Sequence, residues 1–299
     1  MMSELPLDQV RTLLAAVDEG TFDAAARALH VTPSAISQRI KALEHRIGRV
    51  LLLRTRPIQL TESGEVVVRF ARQLAQLEQD AGTELGLPDT GRPARLPVAV
   101  SADAMDVWLM PAMAGAARRL PINLELIRED EGHTIELLHQ GLVMAAVSSI
   151  ARPVQGCLVR ELGRMRYFAM ASPEFHARWL ADRPIARVLP GVPVVEFDRK
   201  DVVQDSFVRA VGAERSPATV RHYVPSTAAF RQAVVNGLGW GTIPEEHAEE
   251  DRAAGRLVDL AEDLPLDVPL YWHQWKLDSP ALAVLAESVA AAARDVLYQ

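Results

Sequence analysis

Residues 32–41 read Thr-Pro-Ser-Ala-Ile-Ser-Gln-Arg-Ile-Lys, and this stretch decides the fold of the N-terminal part of the chain. Thr32 is a favourable N-cap, and Pro33 suits the first helical position, where its missing N–H costs nothing. At 100° per residue, Ile36, Ile40, Leu43 and Ile47 fall on one side of the helix that follows, while Ser34, Ser37, Gln38, Lys41 and His45 fall on the other. One face packs and the other is free to meet a partner. Upstream, Leu7 to Val17 is periodic in Leu, Val and Ala, Gly20 ends it, and Thr21 caps a short alanine-rich helix from Phe22 to Leu29. His30 and Val31 form a tight turn into the next helix. The small Ala25 and Ala26 let helices cross closely, so the spacing predicts a helix-turn-helix whose second helix lies in a major groove. Its exposed face makes Thr32, Pro33, Ser34, Ser37, Gln38 and Lys41 candidate DNA-binding residues, with hydroxyl, amide and ammonium groups suited to base edges and phosphates. The structural alternative is an αα-hairpin with a solvated polar face.

The whole chain of 299 residues carries a net charge of −7, which taken as an average argues against nucleic acid. The charge is unevenly spread. From Arg27 to Arg56 seven basic residues face one acid, Glu44, so this segment carries +6 and the rest of the chain −13. A local basic patch is what phosphate neutralisation requires, and the acidic remainder is held off the duplex. Val50 to Leu60, rich in leucine and containing Pro57, reads as a short hairpin, or wing, that brings Arg54 and Arg56 to phosphate or into the minor groove.

Beyond the wing, Thr61 caps a predicted helix running to about Thr83, with Glu62 and Glu65 near its positive end. Val67, Phe70, Leu74, Leu77 and Ala81 recur at spacings of three and four, the pattern of a coiled-coil seam that needs a partner; packing against its own domain is the alternative. Gly86, Pro88, Gly91, Pro93 and Pro97 then break the periodicity and mark a domain boundary. The expected organisation is a DNA-binding domain over 1–60, a linker or dimerisation helix over 61–90, and a larger domain over 95–299.

That larger part alternates short apolar strands with amphipathic helices, the pattern of an α/β domain. Strands are expected at 96–100, 122–128, 143–147, 166–171, 194–197, 221–224, 240–243 and 270–275, with helices at 105–120, 134–140 and 280–297 among those between and after them. No apolar leader precedes Leu5, and no run approaches the ~18 apolar residues of a membrane span, so a soluble cytoplasmic protein is expected. The single cysteine, Cys157, excludes an intramolecular disulfide framework and reads as a small core or edge residue. There is no nucleophile elbow, P-loop, dinucleotide fingerprint or His-Glu-x-x-His, and the histidines lack metal-ligand spacing, so neither an enzyme nor a cofactor nor a metal site is expected. Gly237-Leu-Gly-Trp-Gly follows a predicted helix and precedes a strand, where a tight turn is its reading.

Phe22-Asp-Ala-Ala-Ala, Val31-Thr-Pro-Ser-Ala-Ile-Ser-Gln-Arg-Ile-Lys-Ala-Leu-Glu, Gly48 and Leu60-Thr-Glu-Ser-Gly resemble the winged helix-turn-helix of LysR-type transcriptional regulators over about the first 65 residues. Leu51, Leu52 and Leu53 stand where these proteins usually have a phenylalanine before the wing; leucine fills the same core. The resemblance implies an antiparallel dimerising linker helix, a homodimer or homotetramer on double-stranded promoter DNA, and an effector domain of two lobes like those of periplasmic solute-binding proteins. With crossing segments near 164 and 268, lobe I would hold 95–164 and 269–299, and lobe II 165–268.

In such a domain a ligand sits beyond the carboxyl ends of strands, where helix N-termini offer free N–H groups. Four loops meet that description: Ser101-Ala-Asp103, Glu129-Asp130-Glu131, Ser148-Ser149 and Pro225-Ser226-Thr227. Their hydroxyls suit a carboxylate and their acids suit cations, which together suggest lysine or arginine. Helix capping is the structural alternative for the acids. Ser101-Ala-Asp-Ala-Met-Asp-Val-Trp108-Leu-Met-Pro, Glu129-Asp130, Val143-Met-Ala-Ala-Val147-Ser and Pro153-Val-Gln-Gly-Cys are similar to the ArgP- and LysG-like branch of the family, which senses basic amino acids and controls their exporters; Ser101 stands where some relatives carry asparagine. The candidate effector-binding residues are Ser101, Asp103, Trp108, Glu129, Asp130, Ser148, Ser149, Ser226 and Thr227, with Trp108 either closing over the ligand or buried. The competing readings are a LysR-type regulator of another pathway answering to a carboxylic or aromatic acid and, more remotely, a solute-binding or enzymatic α/β protein with an accessory helical domain.

Overall fold

The structure, a computed structural model, describes residues 5–53, 55, 57–85, 94–181, 183–214, 216 and 219–299. The predicted wing arginines, Arg54 and Arg56, lie outside the described residues.

The N-terminal unit is built as its caps and periodicity dictate. Helices α1 (Leu7–Asp18), α2 (Phe22–Ala28) and α3 (Pro33–Ile47) follow one another closely. Thr21 Oγ1 accepts the Ala24 N–H at 3.2 Å, Thr32 Oγ1 accepts that of Ala35 at 3.2 Å, and Gly48 ends α3 in the left-handed conformation at φ 74°. Ile36, Ile40 and Leu43 are buried against Val10, Leu13, Ala16, Ala25 and Ala26, which is the apolar stripe of the sequence turned inward. Strands β1 (Leu52–Leu53) and β2 (Gln59–Leu60) pair antiparallel and form the wing. Glu44, the lone acid of the basic segment, accepts the Leu51 N–H at 2.9 Å and the Leu52 N–H at 3.4 Å, so its charge is spent tying the wing to α3.

Helix α4 (Glu62–Glu84) follows directly. Thr61 accepts the Gly64 N–H at 3.1 Å and donates to the Val50 carbonyl at 2.7 Å, capping α4 and anchoring it to the wing with one hydroxyl. The expected seam divides between two surfaces. Val67, Val68 and Ala71 pack into the N-terminal core, whereas Val66, Phe70 and Leu77 remain 55%, 40% and 46% exposed along another face. Further along, α4 rests on the C-terminal domain. Buried Arg72 donates from Nε to the Gly141 carbonyl at 2.8 Å and pairs with Asp18 of α1, and Asp18 in turn pairs with Arg95 at 2.6 Å. Gly141, at φ 72°, lies so close to α4 that a Cβ there would stand 2.7 Å from the Arg69 Cα.

The C-terminal domain is organised by one mixed sheet of seven strands. In chain order the strands are β3 (Ala94–Val100), β4 (Ile122–Arg128), β5 (Ala145–Ser148), β6 (Cys157–Ala171), β7 (Val194–Glu196), β8 (Arg221–Tyr223), β9 (Gly241–Pro244), β10 (Val258–Asp259) and β11 (Leu266–Trp275). The sheet runs β10-β6-β11-β5-β3-β4, with β9 also on β6, and β7 and β8 form a separate parallel pair. β6 and β11 are longer than their sequence pattern indicated because they run antiparallel through both lobes, and their register shifts between Leu270 and Tyr271. Opposite that shift is Gly163 at φ 128°, where a Cβ would meet the Tyr298 carbonyl at 2.8 Å. Lobe I packs the parallel strands β3, β4 and β5 against the helices following β3 and the C-terminal helix Pro280–Val296. The helical path after β3 begins at Ala102, three residues earlier than the periodicity suggests, and contains a π-helical turn over Met105–Leu109. Lobe II buries Phe207 and Trp240 in one cluster and Phe230 and Ile243 in another. Among the described residues no helix is long and apolar enough to cross a membrane.

Gly64 tests the junction of wing and linker helix. A Cβ on it would lie 2.0 Å from the Leu51 carbonyl oxygen, which is held by the Thr61 N–H at 3.0 Å, whereas a Cβ on Gly82 of the same helix meets nothing within 4 Å. Thermal and urea melts should show Gly64→Ala destabilised by roughly 2 kcal/mol or more through overpacking, while Gly82→Ala is neutral or stabilised by up to about 1 kcal/mol.

Candidate functional site

Two surfaces of the molecule carry chemistry. The first is the outer face of α3, where Thr32, Pro33, Ser34, Gln38 and Lys41 are exposed and Ser37 is half-buried. The Thr32 and Ser34 hydroxyls lie 3.0 Å apart, so the cap also orders the first polar side chain of the face. Arg39 belongs to the other side of the helix, reaching Thr12 Oγ1 at 3.5 Å. What remains on the face is a row of donors and acceptors on a rigid helix, in the place from which a recognition helix reads a groove.

The second surface is the cleft between the lobes. It has an inner compartment, lined among others by Asp103, Tyr167, Asp201, Gln204, Thr227 and His247, and an outer one lined by Ser101, Arg128, Glu129, Asp130, Glu131 and Asp198; Phe197, Asp201 and Val203 border both. Free volumes of about 30 and 50 Å³ show that the walls stand close together. The chain bridges its own cleft. Lys200 of lobe II pairs with Glu129 of lobe I at 2.7 Å, Thr227 donates to Asp106, and the Arg128 guanidinium lies over the Phe197 ring at 5.2 Å.

The carboxyl groups set the electrostatics. Burial pushes Asp103 up to about 7, with Asp201, Asp106 and Asp130 adding to the rise and the Tyr167 hydroxyl, donating at 3.1 Å, opposing it. Glu131 is pushed up to about 8, again first by burial and then by Asp130, Asp103 and Asp201. Asp201 is raised by burial although it accepts the Phe197 N–H at 2.8 Å and the Val203 N–H at 3.0 Å. Glu129 goes the other way: burial raises it, but the Lys200 ammonium and the Asp130 N–H together outweigh that and hold it below the ordinary range. Burial lowers His247, with Arg231 adding to the fall, and Arg231, which also lines the compartment, is paired with Asp251 at 2.6 Å. Carboxyl groups crowded out of water in this way favour a ligand that brings positive charge. Gln204 adds a polar group of another kind. It is 2% exposed, its amide N–H serves Asp201, and its Oε1 has no hydrogen-bond partner among the described residues.

Of the residues proposed from the sequence, Asp103 and Thr227 line the inner compartment, and Ser101, Glu129 and Asp130 the outer one. Some of these have structural duties as well: Ser101 caps Ala104 at 3.3 Å, and Asp130 accepts the Gly132 N–H at 2.9 Å. Ser148 does not line the cleft. Its hydroxyl is fully buried, donating to the Glu131 carbonyl at 2.8 Å and accepting the Ile150 N–H at 3.1 Å, so it shapes the acidic loop from behind. Ser149 donates its N–H to the same carbonyl at 3.1 Å, and Ser226 caps the helix Thr227–Val235; neither lines a compartment. Trp108 is 1% exposed within the lobe I core and cannot close over a ligand. Tyr167, Asp201, Gln204, Arg128 and Lys200 enter the cleft without having been singled out in the sequence. Cys157 is half-buried at the lobe I end of β6, and burial raises its thiol to about 11.

Residues 7–65 match the model of the bacterial regulatory helix-turn-helix protein, lysR family, and residues 90–294 match that of the LysR substrate binding domain. The lysine export transcriptional regulatory protein LysG of Corynebacterium glutamicum is 41% identical over 289 residues, covering 95% of this chain and 97% of that protein. Among solved structures, ArgP from Mycobacterium tuberculosis superposes with a TM-score of 0.82 at 40% identity, over 97% of this chain and 98% of that one. Full-length LysG from Corynebacterium glutamicum with bound effector Arg gives 0.75 at 39% identity, over 98% of this chain and 100% of that one. With a helix-turn-helix at one end, a two-lobed binding domain at the other and both family models matched, the chain belongs to the LysR family of bacterial DNA-binding transcriptional regulators.

Proposed function

We propose that this protein is a cytoplasmic regulator that binds a promoter as a homodimer or homotetramer and responds to a basic amino acid, lysine or arginine, controlling the gene of an amino-acid exporter. The observation that carries the effector reading is the set of carboxyl groups, Asp103, Glu131 and Asp201, held in the cleft at raised pKa. A cationic head group restores to them the charge compensation that burial removes, and a carboxylic or aromatic acid does not. In the outer compartment Arg128 is the lining residue with a positive charge to offer an α-carboxylate, while Asp130 and Asp198 suit an α-ammonium group. The similarity to regulators named for lysine export, and to a structure holding arginine, supports the same reading. The exposed Val66, Phe70 and Leu77 face of α4 supports association through the linker helix.

The effector acts by its differential affinity for two arrangements of the lobes. Closing or parting the cleft moves lobe I relative to lobe II, and lobe I is joined to the DNA-binding unit through Arg95–Asp18 and Arg72–Gly141. That is a continuous path from the cleft to the base of α3, because Asp18 ends α1, on which α3 packs.

Two experiments test this. Lys41→Ala should weaken binding to the DNA upstream of the protein's own gene about uniformly across sequences and reduce the salt dependence by about one counterion, whereas Gln38→Ala should cost roughly 1–3 kcal/mol at preferred sites; unchanged affinity in both variants contradicts the reading face. In a thermal-shift series, L-lysine or L-arginine should raise the melting temperature of the wild-type protein and leave Asp103→Asn unmoved, although that variant without effector melts no lower, because it loses a poorly solvated carboxyl group. An undiminished shift in Asp103→Asn places the cation elsewhere.

A further inference from the structure

We infer that Gln204 is a specificity-determining residue, its amide oxygen accepting an N–H from the cationic head group of the effector in the inner compartment. The inference rests on reading the cleft as a cation site and adds to it the group that tells an N–H cation from an apolar chain of the same length.

Gln204 opens the helix Val203–Ala210, one turn of chain away from Asp201, and both line the inner compartment with Asp103 and Tyr167. The amide is oriented by its neighbour. The hydrogen bond from Gln204 favours the charged form of Asp201, so the amide N–H group is the part that faces Asp201 and the carbonyl oxygen is directed away from it. That oxygen is buried and has no donor among the described residues, although buried acceptors are normally satisfied. Three donors that line the compartment are engaged elsewhere: the Tyr167 hydroxyl donates to Asp103, the Thr227 hydroxyl to Asp106, and the Arg231 guanidinium to Asp251. An ammonium carries three N–H donors and a guanidinium five, so either satisfies a carboxylate and an amide oxygen together, and a methyl group satisfies neither. A site built around a hydrogen bond rejects the analogue lacking it far more strongly than an apolar pocket rejects a misfit.

The full-length protein would be titrated calorimetrically with L-arginine, L-lysine and L-norleucine, the last keeping the straight aliphatic chain without the cation. Gln204→Leu, similar in bulk but without the acceptor, should weaken arginine and lysine by roughly 10- to 100-fold while norleucine binds no worse than to the wild type. Gln204→Glu should stay within a few-fold of wild type for arginine, because a carboxyl group beside Asp201 shares a proton, donates it to Asp201 and still presents an oxygen to the ligand. Wild-type affinity in Gln204→Leu overturns the inference, as does equal loss in both variants, which would assign the effect to packing. Loss in Gln204→Leu with full binding in Asp103→Asn would keep the role of Gln204 and reject the carboxylate reading of the cleft. Melting temperature and operator binding without effector check that each variant is folded.

Discussion

The structure depends on two antiparallel strands, Cys157–Ala171 and Leu266–Trp275, that pass through both lobes of the C-terminal domain. They join the lobes into one sheet and fix how near the cleft walls can stand. Tyr167 on the first of them lies beyond the crossing and donates to Asp103 on the opposite lobe, so a shared strand forms the floor of the cleft. The crossing needs a backbone that bends without a side chain. Gly163 at φ 128°, packed on the Tyr298 carbonyl, provides it. A cleft built this way brings Asp103, Glu131 and Asp201 together from separate loops and desolvates all three, which is unfavourable to the empty fold and favourable to a cation.

The same geometry explains how binding reaches DNA. Lobe I is tied to the helical unit through buried Arg72, which bonds both the Gly141 carbonyl and Asp18, and through Arg95 on the first strand of the domain. Breaking such a buried pair by removing one partner is strongly destabilising. The contacts that reach lobe I itself are the Gly141 carbonyl on Arg72 and Arg95 on Asp18. Lobe II is bound to lobe I across the cleft by Lys200–Glu129, Thr227–Asp106 and Arg128 over Phe197. Their exposed ion pair adds little stability by itself. An effector that binds one arrangement of the lobes more tightly than the other shifts the equilibrium by that difference in affinity.

Much of this was legible in the sequence, and the reasons are local. Thr21, Thr32, Gly48 and Thr61 announce helix ends through their own backbone hydrogen bonds, and the 3.6-residue periodicity around Ile36 and Ile40 names the buried face. The segments after β3 and β4 are legible because ligands sit beyond strand ends, and Asp103 lies in the first of them. What sequence could not show is non-local. Tyr167 and Gln204 become cleft residues only because the crossing strands fold lobe II over lobe I, and Lys200 only because it meets Glu129, 71 positions earlier. Ser148 and Trp108 carry suitable chemistry in suitable positions along the chain, yet each points to the far side of its element, into the Glu131 loop and the lobe I core respectively. Periodicity presents the seam of α4 as one stripe, whereas the folded helix packs Val67 on its own domain and leaves Phe70 and Leu77 outward.

Asp103 and Glu131, at about 7 and 8, lie above their ordinary range. Between the unfolded values near 4 and these, the native state holds more protons than the unfolded chain, so their contribution to stability is present at low pH and is lost as pH rises toward 8. A bound cation reverses the preference and drives the protons off. The most direct measurement is calorimetric titration of the full-length protein with L-arginine at pH 7 in two buffers of different ionisation enthalpy. The account predicts heats that differ between the buffers by the release of about one proton per ligand bound. Binding with buffer-independent heats would contradict it, because the cation would then be neutralised by groups already charged.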